Sequence, residues 1–492
     1  MRRSGILMPV FSLPSQYGIG CFSKEAYQFV DFLKEAGQTY WQILPLGPTG
    51  YGDSPYQAFS TFAGNPYFID LNDLAERGYI DKEELETYDF GGNEEYIDYE
   101  KLYTSRFQVL RKAYANSHIA DDCKFKAFCD KNDYWLTDYA LYMAIKGTMD
   151  NQSYDRWPDE LRTRKQNALK AFADKNTDEI LFYKFQQYMF YEQWMRLKKY
   201  ANENGIEIIG DIPIYVALDS ADTWSNPSLF QFDNEGKPKA VAGCPPDAFS
   251  ETGQLWGNPL YDWEYHRKTG YDWWLRRIAY CFELYDVVRI DHFRGFDEYY
   301  AIPYGDKTAE FGHWEKGPGY DLFKEMKEKL GDKHVIAEDL GFLTKSVIRL
   351  LKRTGYPGMK VLQFAFDASG ESNYLPHNYD KNCVVYTGTH DNDTTPGWYA
   401  EMPANDKKFA KQYLNFKGNK SCELHFIRAA LASVAETAII PMQDYIGAGS
   451  EARINHPSTI GANWKWRMKN SVLSNSELAK EIFEMSRLYG RN

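Results

Sequence analysis

The sequence predicts an α/β protein, namely a (β/α)8 barrel (TIM barrel) with inserted, mostly helical subdomains. Three observations carry this prediction. Short apolar runs typical of buried parallel strands alternate with longer segments of helical periodicity. Polar and acidic residues directly follow several of these runs, as they do at the carboxyl ends of barrel strands. A chain of 492 residues is also long enough for a full barrel and an insertion.

Eight apolar runs supply the predicted barrel strands. Val, Ile, Tyr and Phe are frequent in them, as expected for strands packed on both faces. The run that begins the segment 286–295, DVVRIDHFRG, is the most informative, because an arginine, an aspartate and a histidine crowd the end of a β-branched strand. The other runs are residues 39–44, 67–71, 206–214, 334–339, 360–366, 383–389 and 438–442.

Changes in composition and periodicity along the sequence indicate how the chain is organised. We expect residues 1–71 to form the start of the barrel, and residues 72–204, rich in charge and helical periodicity, to form a mostly helical insertion. Residues 205–492 form the remainder of the barrel. They include a long aromatic loop, 244–263, with no evident secondary structure, and loops of this kind are usually functional.

Composition indicates which classes of binding partner are excluded and in which cellular compartment the protein is expected. The net charge is −12 without a long basic run, which argues against nucleic acid or an anionic membrane as a partner. The 7 cysteines are scattered and odd in number, which is typical of reduced thiols in a cytosolic protein. Pro9, Ser12 and Pro14 interrupt the apolar start, so it is a poor signal peptide. We therefore expect a cytoplasmic protein that binds neither nucleic acid nor membrane.

Acidic residues follow four of the predicted strands: Asp211, Asp291, Glu338 and Asp391. Because the carboxyl ends of barrel strands share one rim, we expect these side chains to surround one cavity. Several carboxylates around a cavity are typical of glycosidic-bond chemistry. One acid protonates the leaving oxygen, and another attacks or stabilises the oxocarbenium-like centre.

The two reacting acids need different pKa values. Arg289 lies two residues before Asp291 and is expected to favour its ionised form. Glu338 must keep its proton near neutral pH, which requires a drier environment. His390 and Asp391 are expected to hydrogen-bond sugar hydroxyls and to help distort the ring.

Simpler interpretations of the same residues remain open at this point. The 286–295 segment could hold an internal ion pair, and Asp211 could cap the following segment. Tyr56 and Trp256 could serve only to pack their loops. The tract 390–393, HDND, could bind a divalent metal, but other ligands are not evident and its carboxylates already have a chemical role.

Eight longer motifs indicate that the sequence is related to a known protein family. They lie between residues 4 and 467 and read SGILMPVFSLPSQYGIG, GDSPYQAFSTFAGNPYFIDL, GDIPIYVALDSADTW, PPDAFSETGQLWGNPLYDW, VVRIDHFRG, IAEDLG, TGTHDNDT and NWKWR. With these motifs the sequence resembles the amylomaltases, also called 4-α-glucanotransferases or disproportionating enzymes, of the α-amylase superfamily. Several of the motifs are long and therefore specific.

The resemblance implies roles for individual residues. Asp291 matches the nucleophile, Glu338 the general acid/base and Asp391 the transition-state stabiliser. The residues that match substrate-binding positions or lie in matching stretches are Tyr56, Asp211, Gln254, Trp256, Arg289, Asp367, His390 and Asn463.

The implied activity is the retaining transfer of α-1,4-glucan segments between maltooligosaccharides, or glucans derived from starch or glycogen, without a metal or organic cofactor. An α-1,4-glucan hydrolase with the same acids is the nearest alternative. A glucan-binding protein without activity would not need the acid pair. A metal-dependent barrel hydrolase would lose its activity with a chelator.

Overall fold

The central feature of the computed structural model is an eight-stranded sheet. The structure describes residues 2–50, 52–246, 250–341, 343–367 and 369–492. Within them the strands, numbered along the chain, are β1 (Arg3–Leu7), β2 (Tyr40–Gln42), β3 (Glu207–Pro213), β4 (Ala240–Cys244), β5 (Gln254–Pro259), β6 (Val287–Asp291), β7 (Glu298–Pro303), β8 (His313–Lys316), β9 (Val335–Ala337), β10 (Gly358–Val361), β11 (Cys383–Tyr386) and β12 (Thr437–Pro441).

Eight of these strands form the barrel. Their order is β10-β11-β12-β1-β2-β3-β6-β9, and the neighbouring strands in this order pair in parallel. The Ala337 N–H of β9 donates to the Pro357 carbonyl, just before β10, over 2.9 Å, which brings the two ends of the sheet together. The predicted (β/α)8 fold is confirmed.

The helices surround the barrel and fill the insertion. They are α1 (Lys24–Glu35), α2 (Leu71–Glu76), α3 (Lys82–Leu85), α4 (Tyr99–Ser117), α5 (Cys123–Lys131), α6 (Asp133–Thr148), α7 (Asp159–Arg162), α8 (Gln166–Lys175), α9 (Thr177–Glu203), α10 (Ala221–Ser225), α11 (Trp263–Lys268), α12 (Asp272–Leu284), α13 (Tyr320–Leu330), α14 (Lys345–Thr354), α15 (Thr395–Glu401), α16 (Ala404–Tyr413), α17 (Cys422–Ala432), α18 (Met442–Tyr445) and α19 (Ser476–Leu488).

One predicted strand is wrong. Residues 67–71 run from the short 3-10 helix Pro66–Phe68 through a two-residue connection to the first residue of α2. The side chain of Asn65 accepts the Tyr67 N–H and that of Asp70 accepts the Asn72 N–H, so two caps start helical turns where the apolar letters suggested a strand. The eighth barrel strand is β1 instead, and the run 39–44 contains the second strand rather than the first.

The region between residues 72 and 204 contains helices and, in this part of the described chain, no named strand. Its last helix, α9, joins it to the barrel through buried contacts. The Trp194 indole N–H donates to the Leu284 carbonyl at the end of α12 over 3.1 Å. The limits of the insertion at residues 72 and 204 stay a prediction.

The loop 244–263 is more ordered than its sequence suggested. Strands β4 and β5 pair antiparallel with each other in this region. Together with β7 and β8 they form a four-stranded antiparallel sheet of order β5-β4-β7-β8. Residues 247–249, which belong to this loop, lie outside the described residues. The hairpin of β4 and β5 is called the β4–β5 arm below.

Two further observations concern the whole chain. The 7 cysteines, all within the described residues, form no disulfide bond. Among the described residues, no helix is both long and apolar enough to span a membrane.

Candidate active site

The predicted acids lie at the carboxyl end of the barrel. Asp211 is in β3, Asp291 is the last residue of β6, Glu338 directly follows β9, and Asp391 follows β11 by five residues. The parallel register sets these positions, since Ile212 pairs with Ile290, which in turn pairs with Ala337. The shared rim expected from the sequence is therefore present.

Arg289 connects two of the carboxylates. Its Nη1 donates to both oxygens of Asp211 at 2.7 and 2.6 Å, and its Nη2 lies 3.0 Å from Asp291 Oδ1. The Tyr56 hydroxyl donates to Asp211 Oδ2 over 2.7 Å. The Arg289 side chain is only 4% exposed, so its two Nη atoms depend on these carboxylates, while its Nε donates to Met359 Sδ over 3.4 Å. Asp211 thus holds Arg289 and Tyr56 in place.

Glu338 is held by the backbone. The N–H of His292 donates to Oε2 over 2.8 Å and the N–H of Leu340 donates to Oε1 over 2.7 Å. His292 has φ +53°, a left-handed conformation that is uncommon outside glycine and that occurs mostly at turns and functional sites. This conformation belongs to the turn that directs the His292 N–H at the carboxyl of Glu338.

The acid pair has raised pKa values. Burial raises the pKa of Asp291 well above its usual range, Arg289 opposes this rise, and Glu338 adds to it. Burial also raises the pKa of Glu338, while Arg289 and the two backbone N–H groups oppose the rise. The expected influence of Arg289 on Asp291 is present, but burial is the larger effect. Because two neighbouring carboxylates disfavour each other's ionisation, the pair favours a state with one proton.

His390 lies between aromatic rings next to Asp391. Its ring stacks on Tyr56 with a centroid distance of 5.1 Å and lies 6.0 Å from Trp464. Burial lowers the pKa of His390, while the charge of Asp391 raises it; His390 Nε2 is 3.3 Å from Asp391 Oδ1. Sequence reasoning did not single out Trp464, although its place in the NWKWR motif was a usable signal.

The β4–β5 arm brings Trp256 to this rim. The Trp256 ring meets His292 edge-to-face with centroids 4.9 Å apart, and its indole N–H donates to Gln254 Oε1 over 3.1 Å. His292 is the residue whose N–H donates to Glu338, so the arm contacts the turn that holds this carboxyl. Gln254 and Trp256 are both half-buried.

Asp367 and Asn463 have local partners instead. Asp367 is exposed, and its carboxylate accepts the Ser369 N–H over 2.8 Å. Asn463 is buried; its amide oxygen accepts the His456 N–H over 3.0 Å and its amide nitrogen donates to the Thr459 carbonyl over 2.9 Å. Their predicted contacts with substrate stay predictions. Within the described residues, no cluster of His, Cys, Asp and Glu side chains is arranged to hold a metal ion.

Comparison with known proteins decides the family. A family model described as 4-α-glucanotransferase matches residues 8–474. The chain belongs to the 4-α-glucanotransferase family. It is 51% identical over 486 residues to the 4-α-glucanotransferase of Clostridium butyricum, a match that covers 98% of this chain and 100% of that relative. The 4-α-glucanotransferase of Thermus thermophilus is 47% identical over 484 residues, with 96% of each chain covered.

Solved structures of the 4-α-glucanotransferase family agree with this assignment. The amylomaltase from Streptococcus agalactiae in complex with acarbose has a TM-score of 0.97 and 42% identity, with 100% of both chains covered. The amylomaltase from Corynebacterium glutamicum, at 19% identity and a TM-score of 0.81, supports the fold alone. The resemblance recognised in the sequence is confirmed, and the hydrolase alternative is not favoured.

Proposed function

We propose that this chain is a retaining 4-α-glucanotransferase that moves α-1,4-glucan segments from a donor to the 4-hydroxyl of an acceptor glucan or glucose. Its substrates would be maltooligosaccharides and glucans derived from starch or glycogen. The proposal rests on family membership together with the arrangement of Arg289, Asp291 and Glu338 at one rim. No metal or organic cofactor takes part, and the enzyme acts in the cytoplasm.

The first step cleaves the donor. Asp291 and Glu338 share one proton, and the 3.0 Å ion pair with Arg289 favours the negative charge on Asp291. Protonated Glu338 gives its proton to the glycosidic oxygen while the Asp291 carboxylate attacks the anomeric carbon. The carbon–oxygen bond breaks, the leaving chain departs with a new 4-hydroxyl, and a β-linked glucosyl-enzyme forms.

The second step transfers the glucosyl group to an acceptor. Glu338, now ionised, takes the proton of the acceptor 4-hydroxyl, whose oxygen attacks the same carbon. The bond to Asp291 breaks and the α-configuration returns. Asp391 and His390 would bind the hydroxyls of the reacting sugar and stabilise the oxocarbenium-like charge.

The choice between sugar and water decides whether the enzyme transfers or hydrolyses. Water and a 4-hydroxyl would both be deprotonated by the same Glu338, so the acid pair alone does not discriminate between them. Positioning of the acceptor must supply the difference. Trp256 is the best candidate, because the β4–β5 arm places its half-buried ring against His292, next to the general acid.

Incubation with maltotriose alone tests the proposed function. A transferase produces glucose together with a ladder of longer maltooligosaccharides, whereas a hydrolase produces only shorter sugars. A glucan-binding protein without activity leaves maltotriose unchanged. Addition of a chelator should leave the ladder unaffected, and loss of all products with the chelator would contradict the proposal.

A further inference from the structure

The segment 453–464 passes beside Asp391 and returns to it. At its start, Arg453 and Asn455 are half-buried. At its end, the N–H of buried Trp464 donates to the Ile454 carbonyl over 2.7 Å, and the Trp464 ring lies beside His390. Between these ends, Asn463 ties residues 456–459 together through the hydrogen bonds described above. We call residues 453–464 the strap.

Three hydrogen bonds attach the strap to the His390–Asp391 pair. The Asn455 N–H donates to the His390 carbonyl over 3.1 Å, and Arg453 Nη2 donates to the Asp391 carbonyl over 2.9 Å. The third bond reaches the carboxylate itself, because Asn455 Nδ2 donates to Asp391 Oδ1 over 2.7 Å. Arg453 Nε also donates to the Asn455 carbonyl over 2.8 Å, which stiffens the strap between its two anchor residues.

The carboxylate of Asp391 needs such an anchor. Its side chain is 45% exposed, and Arg289 pairs with Asp211 and Asp291 but not with Asp391. The neighbouring His390 Nε2 lies 3.3 Å from Asp391 Oδ1, a longer contact than the 2.7 Å hydrogen bond from Asn455. An exposed carboxylate rotates readily about its terminal bonds. With Asn455 on Oδ1, the second oxygen, which has no hydrogen-bond partner among the described residues, is left for the sugar.

We propose that Asn455 is a positioning residue that fixes the carboxylate of Asp391 for the transition state. The inference rests on the proposed function, in which Asp391 stabilises the oxocarbenium-like centre. An amide suits this task because it donates a hydrogen bond to the carboxylate and brings no second charge next to it. Orientation of this kind contributes mainly to the rate of the chemical step, since a small misplacement of a reacting or stabilising group can cost about 10²-fold.

Kinetics of Asn455→Ala on maltotriose test the inference. We expect kcat to fall about 10- to 100-fold, with KM nearly unchanged. Ile454→Val is the matched control, because it removes one buried methyl group from the same strap and keeps all three hydrogen bonds to His390 and Asp391. Its kcat should equal that of the wild type even where its melting temperature falls. An Asn455→Ala variant with wild-type kcat, or a parallel loss in Ile454→Val, would overturn the proposal.

Asn455→Asp adds a readout that a merely structural role would not change. The groups facing the new carboxyl are Asp391, His390 and Arg453, and Asp391 in turn interacts electrostatically with Asp291 and Tyr56. Two carboxyls at hydrogen-bond distance share a proton at lower pH. This proton would restore the hydrogen bond between residue 455 and Asp391. The activity of Asn455→Asp relative to wild type should therefore rise from pH 7.5 to pH 5, while the ratio for Asn455→Ala stays constant. A flat ratio for Asn455→Asp would count against the proposal.

Asp391→Asn separates this inference from the proposed function. If Asp391→Asn keeps wild-type activity, Asp391 is not the stabiliser and the proposed function itself needs revision. If Asp391→Asn is inactive while Asn455→Ala is fully active, the acid has its proposed role and only the positioning by Asn455 is refuted.

Discussion

At the scale of single residues, Arg289 organises the charge of the site. It contacts the carboxylates of Asp211 and Asp291, while backbone N–H groups hold Glu338 at the end of the neighbouring strand β9. Asp291 forms an ion pair with this cation, whereas Glu338 accepts hydrogen bonds from two neutral backbone N–H groups. The ion pair favours the charged form of Asp291, and burial favours the protonated form of Glu338 against the opposing backbone donors.

Replacing Asp291 with asparagine should stop turnover. The amide keeps the shape of the side chain but removes the nucleophile, so kcat on maltotriose should fall by about 10⁴-fold while glucan binding persists. Kinetics and calorimetric titration with a maltooligosaccharide measure the two effects separately. Asp286→Asn, at the opposite end of the same strand, is the control and should keep wild-type kcat. Substantial activity of Asp291→Asn in a clean preparation would remove the nucleophile assignment.

Replacing Glu338 with glutamine should change how stability depends on pH. Burial raises the pKa of Glu338 in the folded protein, so its contribution to stability is complete below the unfolded pKa of about 4.3 and is lost as pH rises through the folded value. Glutamine does not titrate. The melting temperature of the variant minus that of the wild type should thus increase from pH 4 to pH 8. Thermal scans from pH 4 to pH 8 measure this difference in melting temperature. The exposed Glu310→Gln is the control, and its difference from the wild type should be constant. A flat or falling difference for Glu338→Gln would contradict the argument that Glu338 is a buried acid.

At the scale of elements, the local sequence pattern predicted most of the barrel strands. It failed for those elements whose secondary structure depends on contacts with distant parts of the chain. The strand β1 contains a glycine, which strands usually avoid. Gly5 is required there because a Cβ atom would lie 2.5 Å from the Tyr40 Cβ and carbonyl oxygen on β2. Nothing near residue 5 in the sequence reveals that neighbour.

The β4–β5 arm shows the same limit. Its strands are completed by pairing with β7, more than forty residues downstream, so the isolated segment looks like a loop. The strand ends bearing Asp211, Asp291 and Glu338 were predictable because β-branched runs lead into them, and Asp391 was predictable from the acidic tract 390–393 that follows β11. Asn455 was not, since only the folded strap brings it to Asp391, 64 residues away along the chain.

Trp256 belongs to this scale because the β4–β5 arm positions it. Trp256→Ala should lower transfer more than hydrolysis, because loss of the ring weakens positioning of the acceptor sugar while water still reaches the intermediate. Free glucose and new reducing ends, measured on one substrate, give the ratio of hydrolysis to transfer, which should rise.

Leu255→Ala is the matched control for Trp256→Ala. Leu255 is the preceding residue of β5 and is 40% exposed, and neighbouring side chains of a strand point to opposite faces. The ratio of hydrolysis to transfer of Leu255→Ala should stay at the wild-type value. If Trp256→Ala lowers both reactions in proportion and also lowers the melting temperature, the ring only packs the arm and the acceptor argument fails.

At the scale of the whole molecule, a buried arginine connects several elements at the end of the barrel opposite the acids. Arg491 is fully buried and lies where β1, α17 and β12 meet. Its Nε donates to the Leu431 carbonyl over 2.6 Å, its Nη1 to the Arg3 carbonyl over 3.1 Å, and its Nη2 to the Ala435 carbonyl over 2.9 Å. Burial lowers the pKa of Arg491 to about 10, and the nearby charge of Arg2 acts in the same direction. Carbonyl dipoles rather than carboxylates therefore solvate this guanidinium.

Arg491→Ala should lower the free energy of unfolding by about 3 kcal/mol, because several buried carbonyls lose a charged donor at once. Arg491→Lys should recover little of this, since an ammonium group lacks the planar fork that reaches carbonyls on several elements. Urea denaturation gives the stability, and kcat at 25 °C should remain at the wild-type value because the acids lie at the other end of the barrel. Arg487→Ala, an exposed arginine in the last turn of α19, should change the free energy of unfolding by no more than about 0.5 kcal/mol. An Arg491→Ala variant as stable as Arg487→Ala would show that strand pairing and core packing close the barrel without this arginine.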